Sequence, residues 1–272
     1  MAFRSLLFVP GARADRFRKA MASGADAVCI DLEDAVAPDR KASARLESLA
    51  FIKSRPEGTV LGLRINALVD KEGIRDVAAL LDSGARPAFV MIPKVVSAFE
   101  ISQIRAVLGA EVPPVWALME TPDAYFALAE IARAIGDRGG IMFGGADYSA
   151  SLGAALEFDA MLHARSAIVA AAALAGCATM DVPYLDVGDE AGLRADTARV
   201  KALGFHGRAA IHPAQIAAIN EIFTPSTDEI SKAEKIAAAY EAAGGGVALL
   251  DGKLVERPVL KAAERVLALK GK

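Results

Sequence analysis

The chain has 272 residues, of which 54% are hydrophobic and 24% charged, enough to build one large core or two small ones and too apolar for disorder. Its formal charge of −3, from 31 basic against 34 acidic residues, gives no general attraction to nucleic acid or anionic lipid. Mean hydropathy is +0.33, yet no stretch reaches the roughly 18 apolar residues that a bilayer crossing requires.

In chain order, the N-terminus carries a short apolar run, then Pro10-Gly11 and the charged residues Arg13, Asp15 and Arg16, which predicts no secretory signal. That run is the first of eight, at residues 5–10, 27–33, 60–66, 88–94, 115–120, 140–147, 178–186 and 205–212. Each is rich in Val, Ile, Leu or Phe and lacks polar alternation, the pattern of strands buried on both faces of a parallel sheet. Between them lie stretches with helical periodicity, such as 13–23, 41–53, 74–83 and 99–108. Eight strand–helix repeats predict an α/β fold, a closed (β/α)8 TIM barrel over residues 1–223. An open doubly wound sheet is the alternative, but no G-x-G-x-x-G follows the first run. Residues 224–272 form a C-terminal helix–hairpin–helix appendage: a helix over 227–243, glycines 244–246, a hairpin turning at Asp251-Gly252, and a helix from Pro258. The two cysteines, Cys29 and Cys177, predict reduced thiols and a cytoplasmic protein rather than a disulfide framework.

A barrel of this kind places its active site at the C-terminal ends of the strands, so the polar residue closing each run is the one to examine. Glu120 and Asp147 close consecutive strands, which in a barrel lie about 5 Å apart. Two carboxylates with water suit Mg²⁺, a hard cation that prefers oxygen. Helix capping, or pairing with Arg64 or Lys94, is the structural alternative. Arg64 ends an apolar strand, and its guanidinium could hold a carboxylate or a developing enolate oxygen through two donors. A salt bridge to Glu33 or Asp34 is the plainer reading. Lys94 could form a Schiff base, but this mouth is acidic, and pairing with Asp31, Glu33 or Asp34 is the expected role. Arg13, Arg16, Arg18 and Lys19 lie beside a helix N-terminus, where an anion would be favoured, or else line a solvated helix face. His163, His206 and His212 are scattered over separate elements, and His212-Pro213 reads as a helix cap.

Seven motifs in one order carry a resemblance over nearly the whole length. They are Leu7-Phe8-Val9-Pro10-Gly11-Ala12-Arg13, Asp31-Leu32-Glu33-Asp34, Leu63-Arg64-Ile65-Asn66, Ile92-Pro93-Lys94, Met119-Glu120-Thr121, Gly144-Gly145-Ala146-Asp147 and Ala210-Ile211-His212-Pro213. With them the chain resembles the citrate lyase beta-subunit-like family, which includes malyl-CoA and citramalyl-CoA lyases. The resemblance implies a trimeric or hexameric enzyme that uses Mg²⁺ to make or break a carbon–carbon bond beside a coenzyme A thioester, with acetyl-CoA and a 2-oxo acid as partners. It implies metal ligation by Glu120 and Asp147 and substrate binding by these two with Arg64, Gly145 and Ala146. It places Phe8, Arg13 and Lys19, with Asn66 and Lys94, around the coenzyme. It also implies an acid on the appendage, inserted into a neighbouring subunit's site, which here is Glu256 within Gly252-Lys253-Leu254-Val255-Glu256-Arg257-Pro258. The family has Asp there, and Glu is one methylene longer, which shifts the geometry of proton transfer. The rival readings are a metal-dependent aldolase without coenzyme A, a lyase acting on a carrier-protein thioester, and a binding module without turnover.

Overall fold

The structure, a computed structural model, describes residues 2–55, 58–109 and 112–270. The eight apolar runs form β1 (Ser5–Pro10), β2 (Ala27–Asp31), β3 (Leu61–Arg64), β4 (Val90–Ile92), β5 (Val115–Met119), β6 (Gly140–Phe143), β7 (Ala178–Asp181) and β8 (Gly207–Ala210). Each pairs in parallel with the next, and β8 returns to β1 through Ser5↔Arg208, Leu6↔Ala209 and Leu7↔Ala210, so the sheet closes. The expected (β/α)8 barrel is the observed fold.

Helices α1 (Phe17–Met21), α2 (Lys41–Lys53), α3 (Lys71–Ser83), α4 (Ala98–Leu108), α5 (Pro122–Phe126), α6 (Leu128–Ile135), α7 (Gly145–Leu152), α8 (Leu162–Ala175), α9 (Glu190–Leu203) and α10 (Ile216–Phe223) fill the connections. Their starts follow local chemistry. Ser97 and Glu100 form a capping box at α4, and Thr121 accepts the Ala124 N–H at α5 ahead of Pro122. His212 caps the turn at Pro213 by accepting the Ala214 N–H, as the His-Pro pair predicts.

All strands but β1 are shorter than their apolar runs. Leu32 and Ile65 still donate their N–H groups to the carbonyls of Arg64 and Met91, and beyond them Glu33 and Asn66, like Pro93-Lys94 after β4, turn at the barrel mouth. The largest correction falls on residues 140–147, where the strand stops at Phe143 and α7 begins at Gly145. Asp147 therefore lies in the first turn of a helix, not at a strand end. The expected helix at 13–23 is a 3-10 turn, Ala14–Arg16, running into the short α1.

The lower barrel interior is packed by Phe3, Leu6, Cys29, Phe89, Met91, Trp116, Leu118 and Met180. Phe3 stacks on Trp116 with ring centroids 5.8 Å apart. Gly140 is the residue that admits the indole, because a Cβ there would sit 2.6 Å from Trp116 Cζ3. Both cysteines are buried thiols.

The chain divides into two compact units, Met1–Asn220 and Glu221–Lys272. In the second, α11 (Thr227–Ala242) packs on α12 (Arg257–Leu267), and β9 (Ala248–Leu250) pairs antiparallel with β10 (Lys253–Val255). The hairpin turns where predicted, with Asp251 and Gly252 both at positive φ, 49° and 73°. No described helix is long and apolar enough to cross a membrane.

Candidate active site

The ends of β2, β3 and β4 are joined by a network of ion pairs. Arg64 grips Asp31 with a two-pronged fork, Nε to Oδ1 at 2.7 Å and Nη2 to Oδ2 at 2.6 Å, while Nη1 lies 3.1 Å from Glu33 Oε2. The guanidinium also lies over the Phe8 ring, 5.0 Å from its centroid. Burial works against its charge, but Asp31 and then Glu33 outweigh that and hold Arg64 more firmly protonated than usual. Three of its five N–H groups face carboxylates, which leaves two for a ligand. Lys94 Nζ then bridges Glu33 Oε1 at 2.6 Å and Asp34 Oδ1 at 3.4 Å, the pairing expected of it.

Glu120 after β5 and Asp147 in the first turn of α7 are carboxylates without a cation of their own. Glu120 is 2% exposed and follows β5 directly, where Thr121 turns the chain into α5. Its Oε1 accepts the Lys94 backbone N–H at 2.5 Å. Burial pushes its carboxyl up to about 8, and the charges of Glu33 and Asp147 add to the rise while the Lys94 N–H and Arg64 oppose it. Gly144 makes room for this side chain, since a Cβ there would collide with Glu120 Cβ and Oε2. Asp147 is exposed on the first turn of α7 and makes no hydrogen bond or ion pair among the described residues. No side chain caps α7, so the first-turn N–H groups of Gly145 and Ala146 have no side-chain acceptor.

Among the described residues no group of three or more His, Cys, Asp or Glu side chains gathers to hold a metal. Glu120 and Asp147 are the two carboxylates that could offer oxygen to a cation here, near enough that the charge of Asp147 acts on Glu120. An all-oxygen donor pair, one member buried and destabilised by neighbouring negative charge, fits Mg²⁺ with water completing its shell.

The remaining candidates fall in several places. Arg13 is exposed and pairs with Asp15 at 2.8 Å, and Lys19 is exposed on α1. Asn66 is buried, with Nδ2 donating to Asp76 and Oδ1 accepting from Lys41, so its polar groups are taken up within the barrel wall. Glu256, on the second unit, is the N-cap residue of α12, but its exposed side chain makes no cap hydrogen bond. The helix expected from Pro258 begins one residue earlier, at Arg257.

Two further clusters go beyond the strand-end reading, which reaches Asp181 but not its partners. Asp181, fully buried at the end of β7, is held by Arg165 at 3.0 Å, and Arg208 stands 3.8 Å away. Tyr148, one residue after Asp147, bonds His163 at 3.2 Å. The two arginines follow an apolar pattern that hides them, whereas Tyr148 beside the Gly-Gly-Ala-Asp motif was a signal in plain view.

A closed parallel barrel whose C-terminal mouth combines a fixed guanidinium with neighbouring carboxylates has the layout of a (β/α)8-barrel enzyme. The chain belongs to the HpcH/HpaI aldolase/citrate lyase family, whose model matches residues 4–213. It is 37% identical to an L-malyl-CoA/beta-methylmalyl-CoA lyase of Cereibacter sphaeroides, over 97% of this chain and 93% of that protein. It is 36% identical to a (3S)-malyl-CoA thioesterase of the same species, over 98% and 94%. Among solved structures it matches the protein CitE of Mycobacterium tuberculosis, in complex with magnesium, acetoacetate and coenzyme A, at a TM-score of 0.84 and 33% identity, covering 100% of this chain and 99% of that one.

Proposed function

We propose that the protein is a Mg²⁺-dependent carbon–carbon lyase that cleaves or forms a 3-hydroxyacyl-CoA of the malyl-CoA or citramalyl-CoA type, with acetyl-CoA and a 2-oxo acid as partners. The observation that carries this reading is the carboxylate pair Glu120 and Asp147, set beside an Arg64 with donors to spare. Mg²⁺ held by that pair would supply Lewis-acid polarisation of the 2-oxo or 2-hydroxy acid.

The chain's own residues supply the rest. The uncapped N–H groups of Gly145 and Ala146 receive the acid's carboxylate. Phe8, Arg13 and Lys19, with the Lys94 ammonium nearby, form the side that meets the coenzyme, whose phosphates suit the basic first loop. In the synthetic direction Glu256, as carboxylate, takes a proton from the methyl of acetyl-CoA. The electron pair moves into the thioester, where Arg64 stabilises the enolate oxygen. The enolate carbon then bonds to the 2-oxo carbon, whose oxygen takes a proton from solvent. Cleavage runs the same steps backward, ending with protonation of the enolate by Glu256.

This reading includes delivery of Glu256 by a neighbouring subunit of a trimer or hexamer, in the cytoplasm. Exposure of Val247 (64%), Leu249 (74%) and Leu254 (54%) on the hairpin just before it supports an element that is covered by another chain.

The test is turnover of malyl-CoA and citramalyl-CoA with and without Mg²⁺, following acetyl-CoA, with Glu120→Ala as control. Mg²⁺-dependent acetyl-CoA release that the substitution abolishes is the expected result, and coenzyme A binding without release would overturn the lyase. The thioesterase relatives favour a second reading, hydrolysis of the same thioester. It predicts free thiol and malate in place of acetyl-CoA and glyoxylate, and a thiol reagent distinguishes the two.

A further inference from the structure

Lys94 is a non-glycine residue in the left-handed region, with φ 51°. For a residue with a Cβ that conformation is unfavourable, and it persists only where its surroundings enforce it. At Lys94 both ends of the residue are engaged. Its N–H donates to Glu120 Oε1 at 2.5 Å, and its Nζ reaches Glu33 Oε1 at 2.6 Å. Glu33 is itself buried and fixed by Arg64. The side chain is therefore anchored to one wall of the mouth while the backbone addresses the other.

We propose that Lys94 is a positioning residue for the metal-binding carboxylate: its ion pair with Glu33 holds its backbone in the left-handed conformation, and that conformation aims its N–H at Glu120. A carboxylate with one oxygen fixed by a backbone donor has its other oxygen set for the cation. The ion pair network of β2–β4 is thereby coupled to the metal side of β5–β6 through one residue. The proposal rests on the reading of Glu120 as a metal ligand.

Replacing the side chain in two ways separates backbone from charge. Lys94→Met and Lys94→Gly both remove the ammonium, but only methionine carries a Cβ that opposes positive φ. The readout is Mn²⁺ binding to substrate-free protein by electron paramagnetic resonance titration, with no turnover involved. Lys94→Met is expected to weaken Mn²⁺ binding by about tenfold, while Lys94→Gly stays within about twofold of wild type. Lys94→Asn, which also tolerates the left-handed region, should behave like glycine and serves if the glycine variant does not fold. Equal weakening by Met and Gly would show that tolerance of the left-handed backbone does not decide Mn²⁺ binding and would overturn the proposal, as would no change in either. Glu120→Gln tests the underlying reading separately: if it binds Mn²⁺ like wild type, the metal site is misassigned and the proposal falls with it. Loss in Glu120→Gln with no difference between Met and Gly defeats the Lys94 proposal alone.

Discussion

The two ends of β2 carry the same device in different surroundings. Just before the strand, Arg4 forks onto Asp26 with Nη2 to Oδ1 at 2.7 Å and Nε to Oδ2 at 3.0 Å. At its far end, Arg64 forks onto Asp31 at 2.7 and 2.6 Å. The floor pair is reinforced by the Arg4 backbone N–H, which donates to Asp26 Oδ2 at 2.9 Å. The mouth pair is extended by Glu33, Phe8 and Lys94 and stands beside Glu120 and Asp147. There Asp31, Glu33, Asp34, Glu120 and Asp147 outnumber Arg64 and Lys94, so the mouth holds surplus negative charge at close quarters. A fork whose charge is balanced holds structure; one embedded in an unbalanced cluster is prepared for a cation and an anionic substrate. Substitutions that treat the two ends alike should therefore give opposite readouts.

The largest effect should come from Glu120. Glu120→Ala removes one of the two proposed protein ligands, and kcat/KM at the Mg²⁺ concentration that saturates the wild type should fall by about a thousandfold or more. A smaller loss that extra Mg²⁺ fully restores would make Asp147 the dominant ligand. Next is Glu256→Gln, which keeps shape but removes the transferable proton. Exchange of the acetyl-CoA methyl protons into deuterated water should slow by about a hundredfold or more, while coenzyme A affinity is retained. Unchanged exchange would shift the proton transfer to another group. Third is the pair of forks themselves. Arg64→Lys loses the planar fork and should lower kcat/KM by about a hundredfold, whereas Arg4→Lys should leave kinetics unaltered and lower only the melting temperature.

The fold was legible because buried parallel strands leave unbroken apolar runs, and helix 41–53 was placed residue for residue by its 3.6 periodicity. Residues 144–147 were misread as strand because α7 begins at glycines with no Ser, Thr, Asp or Asn to cap it, so nothing in the local chemistry announced a helix. The missed α5 had such a signal, Thr121 followed by Pro122. In the site, the strand-end rule singled out Glu120, Arg64 and Lys94, since a barrel collects those positions at one mouth. It reached the pairing of Lys94 with Glu33 and Asp34 but not the contacts that helix packing creates. Arg165 and Asp181 meet only through the packing of α8 on β7, and the positive φ of Lys94 belongs to a residue type that does not favour it. Such features come from tertiary constraint and leave no local trace.

The smallest effect sharpens the comparison from the floor. Burial disfavours the Asp26 carboxylate, yet the hydrogen bonds and charge of Arg4 outweigh that and hold its carboxyl below the usual range. A folded-state value below the unfolded one stabilises the protein above about pH 4 and ceases to do so as pH falls through the folded-state value. Both side chains are about a quarter exposed, at 27% and 26%, so the contribution is about 1 kcal/mol or less. Urea unfolding of wild type and Asp26→Asn should then differ by that amount at pH 7 and converge as acidification carries the pH below the folded-state value of Asp26. A difference that persists at low pH would mean that Asp26 acts through packing rather than charge. If Asp26→Asn also lowered kcat/KM, the division of the barrel into a structural floor and a reactive mouth would fail, because the two forks on β2 would be coupled along the strand.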